Sequence, residues 1–222
     1  MDEKISLDDF RASEGVDDWR VLSEGACAFF ATTSMAASAG FVDAISRIAG
    51  VDDHHVDVDV RRGGVTVRLI TYSDDYMGMS RRDVGLAREI STIARDQGLA
   101  PDPGSVQGFV IVPSAPNAKE IMPFWQAVLG YERRLDSPDE DLVDPRRIGP
   151  SFWFEAMDAP RADGLGAIHV AVWLPIDQAE ARVAAALAAG GRIVRDEFAP
   201  TWWTLADPAG NEADISTTQG RG

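Results

Sequence analysis

The chain has 222 residues, of which 45% are hydrophobic and 26% charged, and its formal net charge is −15. This is the composition of an ordinary globular protein, and so strong a negative charge repels nucleic acid and anionic membranes, so neither is expected as a partner. A single cysteine, Cys27, excludes an intrachain disulfide, and the acidic N-terminal stretch lacks the apolar segment of a signal peptide, so we expect a cytoplasmic protein.

The chain length and one segment rich in proline and glycine predict two domains. The stretch LAPDPGS at residues 99–105 combines two prolines and a glycine, a composition typical of a linker. We therefore assign one domain to residues 1–100 and a second to residues 105–222, both within the usual size range.

The first domain alternates strands with helices. A helix at about residues 6–14 precedes a strand pair in WRVLSEGACAFFA and a helix in TTSMAASAGFVDAISRIAG, which Thr33 or Ser34 can cap and Gly50 can end. The alternating strands HHVDVDV and VTVRLITY follow, joined by RRGG, and the helix SRRDVGLAREISTIARDQG has a capping box of Ser80 and Asp83 with Gly98 at its end. This order predicts an α+β domain with helices on one face of an antiparallel sheet.

The second domain contains one unit twice. Strand VQGFVIVPS, helix NAKEIMPFWQAVLG and further strands up to PSFWFEA are followed by strand LGAIHVAVWLP, helix DQAEARVAAALAAGG and three more strands. Two βαβββ units of roughly 50 to 60 residues each are therefore predicted. The segment SPDEDLVDPRR between strands of the first unit is predicted to be a solvated loop.

Two of the three histidines, His54 and His55, are adjacent at the start of a predicted strand. Neighbouring side chains on a strand point to opposite faces, so His54 is expected on the face of Val56 and Val58, and His55 on the face of Asp57. A metal site is disfavoured, because ligands on a strand are better spaced two residues apart and no third histidine or cysteine is nearby.

The run DHHxDVDxRxGxVTVRLxT, followed by SRRDVGLAR, resembles the pterin-4a-carbinolamine dehydratase family over about residues 5–98. The resemblance implies a small α+β domain, often dimeric or tetrameric, that removes water from a 4a-hydroxytetrahydropterin without a metal or other cofactor. By the same resemblance, His54 and His55 are the acid/base pair, and Asp83 is the acid on the last helix. Asp53, which precedes the pair, is a substrate-binding candidate.

The sequence also departs from the family pattern. Tyr72 stands where the resemblance predicts a third histidine, so we assign it an orienting role; a tyrosine can donate a hydrogen bond or act as an acid. Arg62 replaces the aromatic residue of the hairpin and is included among the substrate-binding candidates. Val56 and Gly50 replace a proline and an acidic residue, and the loop SDDYMGM is about two residues longer than usual.

The repeated unit, with FWQAVLGY in one copy and WWTLADPAGNEADI in the other, resembles glyoxalase-like and bleomycin-resistance-like members of the vicinal oxygen chelate superfamily over about residues 105–218. The resemblance implies a half-barrel of two units around a cavity, with DPxGNE as the turn that contains Gly210 and Asn211. Alternation predicts that Ile168, Val170 and Val172 pack on helices. The cavity face is expected to carry the candidate substrate-binding residues, which are Trp153, Glu155, His169, Trp173 and Asp214.

By motif position, His169, Glu155 and Asp214 fall near three metal positions of that superfamily, and Gln107 is nearest to the fourth. The set is incomplete, so a metal-free cleft that binds a flat organic ligand is favoured over a divalent-metal site. Of Trp202 and Trp203, which point oppositely, one can line this cleft.

Three hypotheses remain open from the sequence. The protein is a dehydratase-like enzyme with a fused ligand-binding domain, a binding or resistance-type protein that has lost the chemistry, or a metal-dependent lyase or isomerase through its second domain. All three take a small aromatic or heterocyclic ligand, and both resemblances imply a homodimer or higher homo-oligomer.

Overall fold

The computed structural model describes residues 3–73, 76–156, 168–206 and 212–220. The chain divides into two compact units, Met1–Val106 with Gly220–Gly222, and Gln107–Gln219. We call these the first and second unit. No helix in the described ranges combines the length and apolar character needed to cross a bilayer.

The first unit is an antiparallel sheet with helices packed on one face. The sheet has the order β1-β6-β5-β3-β2, and β4 and β7 pair with β5 and β3. The elements, in chain order, are β1 (Lys4–Ile5), α1 (Leu7–Arg11), β2 (Arg20–Leu22), β3 (Gly25–Ala31), α2 (Met35–Ile45), β4 (His55–Arg61), β5 (Gly64–Ser73), β6 (Tyr76–Ser80), α3 (Arg81–Asp96) and β7 (Ala100–Pro101).

Alternation along β5 builds the core of this unit. Val65, Val67 and Leu69 are fully buried and pack with Phe41 of α2 and Ile90 of α3. On the neighbouring strand β4, Val56, Val58 and Val60 are registered with these residues and join the same core. The predicted α+β architecture is confirmed.

Helix α2 begins as predicted but ends early. Ser34 is the N-cap, and its side chain accepts a hydrogen bond from the Ala37 amide. The helix ends at Ile45 rather than near Gly50, because the amides of Arg47 and Ile48 bond to carbonyls three residues back and tighten the turn. Gly50 instead adopts a left-handed conformation (φ 76°) ahead of a short 3-10 turn, Val51–Asp53.

The segment predicted as a linker is ordered. Ala100 and Pro101 form β7, which is registered with Ala31 and Phe30 of β3. The Asp102 amide donates to the Phe29 carbonyl at 2.8 Å, and Val106 is buried with Leu22 and Cys27. These hydrogen bonds and apolar contacts hold residues 100–106 against the first unit, despite their linker-like composition.

The second unit is one curled sheet built from two βαβββ repeats. The first repeat contains β8 (Gly108–Ala115), α4 (Ala118–Leu129), β9 (Glu132–Arg133), β10 (Asp141–Val143), β11 (Ser151–Trp153) and β12 (Glu155–Ala156). The second contains β13 (Ile168–Trp173), α5 (Ile176–Ala188), β14 (Arg192–Arg195), β15 (Trp202–Ala206) and β16 (Glu212–Ser216).

The repeats meet where β8 and β13 pair antiparallel at the centre of the sheet. Strand β8 is parallel to β11 and β12 on its other side, as β13 is to β16, so the two halves have the same arrangement. The turn predicted at Gly210 and Asn211 lies outside the described residues.

Both helices of the second unit pack on the same face of the sheet, which we call the outer face. Met122 of α4 packs with Phe152 and Phe154, and Val183 of α5 packs with Trp203 and Ile215. The prediction that Ile168, Val170 and Val172 pack on helices is confirmed for Val172, which packs against the cluster under α5. It is wrong for Ile168 and Val170, which are 47% and 36% exposed and belong to neither helix cluster.

The stretch SPDEDLVDPRR is not simply a solvated loop, as was predicted. It contains β10, whose Leu142 is fully buried, and Asp144 is only 4% exposed. The Asp144 carboxylate accepts hydrogen bonds from the amides of Gly149, Arg146 and Ile148. These bonds hold its pKa down to about 2 and fix the turn that follows β10.

Candidate functional site

Asp83 is the centre of a buried polar network in the first unit. It is fully buried in the first turn of α3, where Ser80 and Asp83 form the predicted capping box. One carboxylate oxygen, Oδ2, accepts from the Ser80 amide at 2.7 Å and lies 2.7 Å from Thr71 Oγ1. The other, Oδ1, lies 2.7 Å from His54 Nε2. The carboxylate therefore joins β5, α3 and the residue that precedes β4.

His54 and His55 lie on opposite faces of the sheet. The His54 side chain is only 3% exposed and shares the core face with Val56. His55, the first residue of β4, is exposed, and its ring contacts the half-buried Tyr72 in an edge-to-face arrangement with centroids 5.3 Å apart. The four residues predicted as catalytic thus form two pairs, His54 with Asp83 and His55 with Tyr72.

Asp53 and Arg62 lie at opposite ends of β4. Asp53 is exposed in the 3-10 turn just before His54. Arg62 is exposed in the hairpin that follows Arg61, so the seven-residue strand, roughly 20 Å long, separates it from His55. Within one chain the structure brings Asp53, but not Arg62, close to the histidines.

Arg82, which the sequence did not single out, supports the turn in front of the histidines. Its guanidinium donates to the Gly50 carbonyl from the first turn of α3. A Cβ added at Gly50 would lie 2.7 Å from Arg82 Nη2, so the guanidinium would have to shift, and the left-handed φ of 76° itself favours glycine at this position. Helix α3, which carries Asp83, therefore also holds the turn that precedes His54 and His55, through the hydrogen bond from Arg82.

In the second unit, the strand register places the predicted ligand-binding residues on the face opposite the helices, which we call the inner face. His169 is registered with Val112, Ala171 with Asp214, and Trp173 with Ser216. Trp153 and Glu155 alternate onto this face as well, and Glu155 is registered with Ser114. Trp203 packs under α5, so Trp202 is the tryptophan of its pair on the inner face.

His169 and Asp214 interact directly. His169 Nε2 lies 3.3 Å from Asp214 Oδ2, and the His169 side chain is 9% exposed. Burial lowers the pKa of His169, but the hydrogen bond to Asp214 and the charges of Asp214, Glu155 and Glu212 outweigh it, so the pKa is raised above 6.5. The inner face therefore favours a positive charge.

The candidate metal ligands do not converge on one point. Within the described residues, no group of three or more His, Cys, Asp or Glu side chains is arranged to hold a metal ion. His169 and Asp214 bond to each other, the Glu155 carboxylate accepts from Ser114 at 3.2 Å, and Gln107 is exposed just ahead of β8. The donor set does not fit a divalent metal in this arrangement.

Besides Arg82, the threonines Thr71 and Thr204 were not predicted as site residues from the sequence. Thr71 belongs to the Asp83 network, and Thr204 is 1% exposed on the inner face, registered with Asp214. A signal existed for Thr71, because it continues the apolar series Val65, Val67 and Leu69 with a hydroxyl. For Thr204 the signal depends on the register between β15 and β16, which the sequence does not reveal.

Comparison with known proteins agrees with the division of the chain into two units. The family model "Pterin 4 alpha carbinolamine dehydratase" matches residues 4–93. A Nocardia farcinica (strain IFM 10152) protein named "Putative pterin-4-alpha-carbinolamine dehydratase" is 32% identical over 94 residues, which cover 42% of this chain and 93% of that protein. The chain belongs to the pterin-4a-carbinolamine dehydratase family. A Mycobacterium leprae (strain Br4923) protein of the same name is 28% identical over 81 residues, 36% of this chain and 84% of its own length.

This dehydratase-family chain carries a second, glyoxalase-like domain. The family model "Glyoxalase-like domain" matches residues 110–216. A solved glyoxalase/bleomycin resistance protein/dioxygenase superfamily member from Vibrio splendidus 12B01 is 17% identical, covers 50% of this chain and 99% of its own, and has a TM-score of 0.33. The assignment of this domain relies on the family model and on the paired βαβββ order, not on that structural similarity.

Proposed function

We propose that the first unit is a hydro-lyase that removes water from a 4a-hydroxytetrahydropterin or a related carbinolamine heterocycle. The observation that carries the proposal is the pair of His55 and Tyr72, two protic side chains in ring contact on the exposed face of the sheet. Membership of the dehydratase family supports the same chemistry. The pair is next to a buried network, so its strand is held firmly while the side chains remain accessible.

The reaction breaks the C–O bond of the hydroxyl, removes the proton of the neighbouring ring nitrogen and forms a C=N bond, with water as the second product. We assign His55 to take the nitrogen proton, because imidazole is the side chain that ordinarily titrates nearest to neutral pH. Tyr72 donates its proton to the departing hydroxyl. Transfer of the proton from His55 back to Tyr72, directly or through water, restores both groups, so no net proton is consumed.

His54 and Asp83 take a positioning role in this proposal, because the His54 side chain is buried on the opposite face from His55. The Asp83 carboxylate accepts from Nε2–H of His54, which fixes the ring and places the proton of the neutral imidazole on that nitrogen. Because His54 directly precedes β4, this bond also sets where the strand begins and in which direction His55 points.

The test follows the absorbance of a 4a-hydroxytetrahydropterin after purified protein is added. We expect turnover above the buffer rate and a loss of about 100-fold or more in His55→Ala, the size typical of a lost general base. The control is His169→Gln in the second unit, which also removes a histidine and should leave this rate unchanged. No acceleration over buffer, or equal rates for wild type and His55→Ala, contradicts the proposal.

For the second unit we propose small-molecule binding rather than metal-dependent lyase or isomerase chemistry. The supporting observation is that His169 and Asp214 bond to each other instead of converging with Glu155. Elemental analysis of protein purified without chelator tests this. A divalent metal at one per chain, lost in Asp214→Asn, contradicts it.

A further inference from the structure

Two buried side-chain oxygen atoms on the inner face of the second unit have no hydrogen-bond partner among the described residues; the threonine hydroxyl can accept or donate, and the carboxylate oxygen accepts. They are Oγ1 of Thr204 and Oδ1 of Asp214. The two residues are registered with each other on β15 and β16, so their side chains stand next to each other on one face. Buried polar groups are nearly always hydrogen-bonded in native proteins, so a neighbouring pair without partners indicates atoms that a bound molecule would satisfy.

The chemistry of this pair defines what such a molecule offers. An ionised Asp214 only accepts hydrogen bonds, and its other oxygen is already used by His169. Glu155 and Glu212 add negative charge near the pair, and this charge raises the pKa of His169. Arg195 is registered with Thr204 on the edge strand β14, but it is exposed to solvent. The pair therefore suits a group that donates N–H bonds, neutral or cationic, and rejects an anion.

The surroundings of the pair define the shape of the molecule. Trp202 and Trp173 are both registered with Ser216, on the strands either side of it, and all three side chains are on the inner face. Two neighbouring strands are about 4.8 Å apart, so the backbones that carry the two indoles are roughly 10 Å apart across the sheet. One face of Trp202 stacks on Phe198, with ring centroids 4.2 Å apart, so its other face is the one that can meet a ligand. Ser216 is itself 3% exposed, two residues beyond Asp214. Aromatic side chains on this spacing favour a flat ring between or against them.

We propose that Thr204 and Asp214 anchor a flat nitrogen heterocycle through N–H donors on one of its edges, with Trp173 and Trp202 against its ring. This inference rests on the small-molecule binding proposed for the second unit and does not depend on the reaction assigned to His55 and Tyr72 in the first unit. It also accounts for the Asp214 carboxylate, which bonds to His169 through one oxygen and has no partner for the other among the described residues.

The test uses two probes of similar size and planarity. The first, 2-aminobenzimidazole, presents N–H donors along one edge, and the second, 1-methylbenzimidazole, is a neutral ring without N–H donors at mildly alkaline pH. Calorimetry with the full-length protein should show 2-aminobenzimidazole binding at one per chain, at least about tenfold more tightly than 1-methylbenzimidazole, because only the first satisfies the buried acceptors. Equal affinities for the two probes, or no binding of either, overturn the proposal.

Matched variants locate the site. Thr204→Val keeps the shape of the side chain but removes the hydroxyl, and should weaken 2-aminobenzimidazole about fivefold or more, whereas Thr204→Ser should retain most of the affinity. Asp214→Asn should weaken it further, and His55→Ala in the first unit should have no effect. Binding that is unchanged in Thr204→Val and Asp214→Asn, or lost in His55→Ala, overturns the proposal. So does a divalent metal that binds at one per chain and displaces the probe.

Discussion

Nε2 of His54 lies 2.7 Å from Oδ1 of Asp83, and both side chains are almost completely removed from solvent. The two residues are 29 positions apart in the chain, so this bond joins the residue that precedes the hairpin to the last helix of the unit. Asp83 therefore has two structural roles: it belongs to the capping box of α3, and it holds the His54 ring in place. The stability of the first unit and the orientation of His55 therefore depend on one carboxylate.

Replacement of Asp83 should destabilise the first unit. Asp83→Ala leaves His54, Thr71 and the Ser80 amide without their acceptor in a buried position, which costs about 2 to 4 kcal/mol of unfolding free energy. Urea unfolding measures the loss. The control is Asp59→Ala, which removes an exposed ion pair with Arg61 and should cost less than about 1 kcal/mol. Equal effects of the two variants would show that the network contributes little.

Tyr72 should matter through its hydroxyl. Tyr72→Phe preserves the ring that contacts His55 but removes the proton donor, so kcat/KM for dehydration should fall about 10- to 100-fold with little change in stability. Tyr72→His restores a group that can donate a proton and should recover part of that loss, with a rate that declines as the imidazole deprotonates. A Tyr72→Phe rate equal to wild type removes Tyr72 from the mechanism.

Gly50 should not tolerate a side chain. Its φ of 76° costs a non-glycine residue about 1 to 2 kcal/mol, and the added Cβ would press on the Arg82 guanidinium. Gly50→Ala should therefore lower both stability and dehydration rate, because it displaces the turn before His54. Gly85→Ala in α3 is the matched control. Nothing lies within 4 Å of its added Cβ, and alanine in a helix stabilises by up to about 1 kcal/mol. Thermal unfolding that ranks the two variants the other way would contradict this account of Gly50.

Asp144 should make the second unit sensitive to acid. The folded state holds the pKa of Asp144 at about 2, below its ordinary value of 3.8, so its contribution to stability is present above pH 3.8 and is lost as the pH falls towards 2. Asp144→Asn should lower stability at neutral pH and flatten the dependence over that acid range. Unfolding followed by tryptophan fluorescence at a series of pH values checks both effects. An unchanged acid profile in the variant would show that other carboxylates dominate.

Features that depend on local pattern could be predicted from the sequence. The alternation in VTVRL and the capping box of Ser80 and Asp83 are confirmed, because strand period and helix capping act over a few residues. The inner-face position of His169 and Asp214 also follows from alternation, once the strands are placed.

Features that depend on pairing between distant segments could not be predicted. The bond from His54 to Asp83 and the exposure of Ile168 and Val170 are set by which elements become neighbours. Likewise, LAPDPGS has the composition of a free linker, and only the strand β3, about 70 residues earlier in the chain, determines that it is bound.

The pairing of β7 with β3 has a consequence for self-association. Phe30 and Ala31 have β5 on one side and β7 on the other, whereas β2 covers only the earlier residues Gly25–Cys27. A chain that stopped at residue 99 would leave the backbone groups at the end of β3 as an open sheet edge, flanked by Phe29, and open edges recruit strands from other molecules. We therefore expect that residues 100–106, by covering this edge, reduce the tendency of the first unit to aggregate.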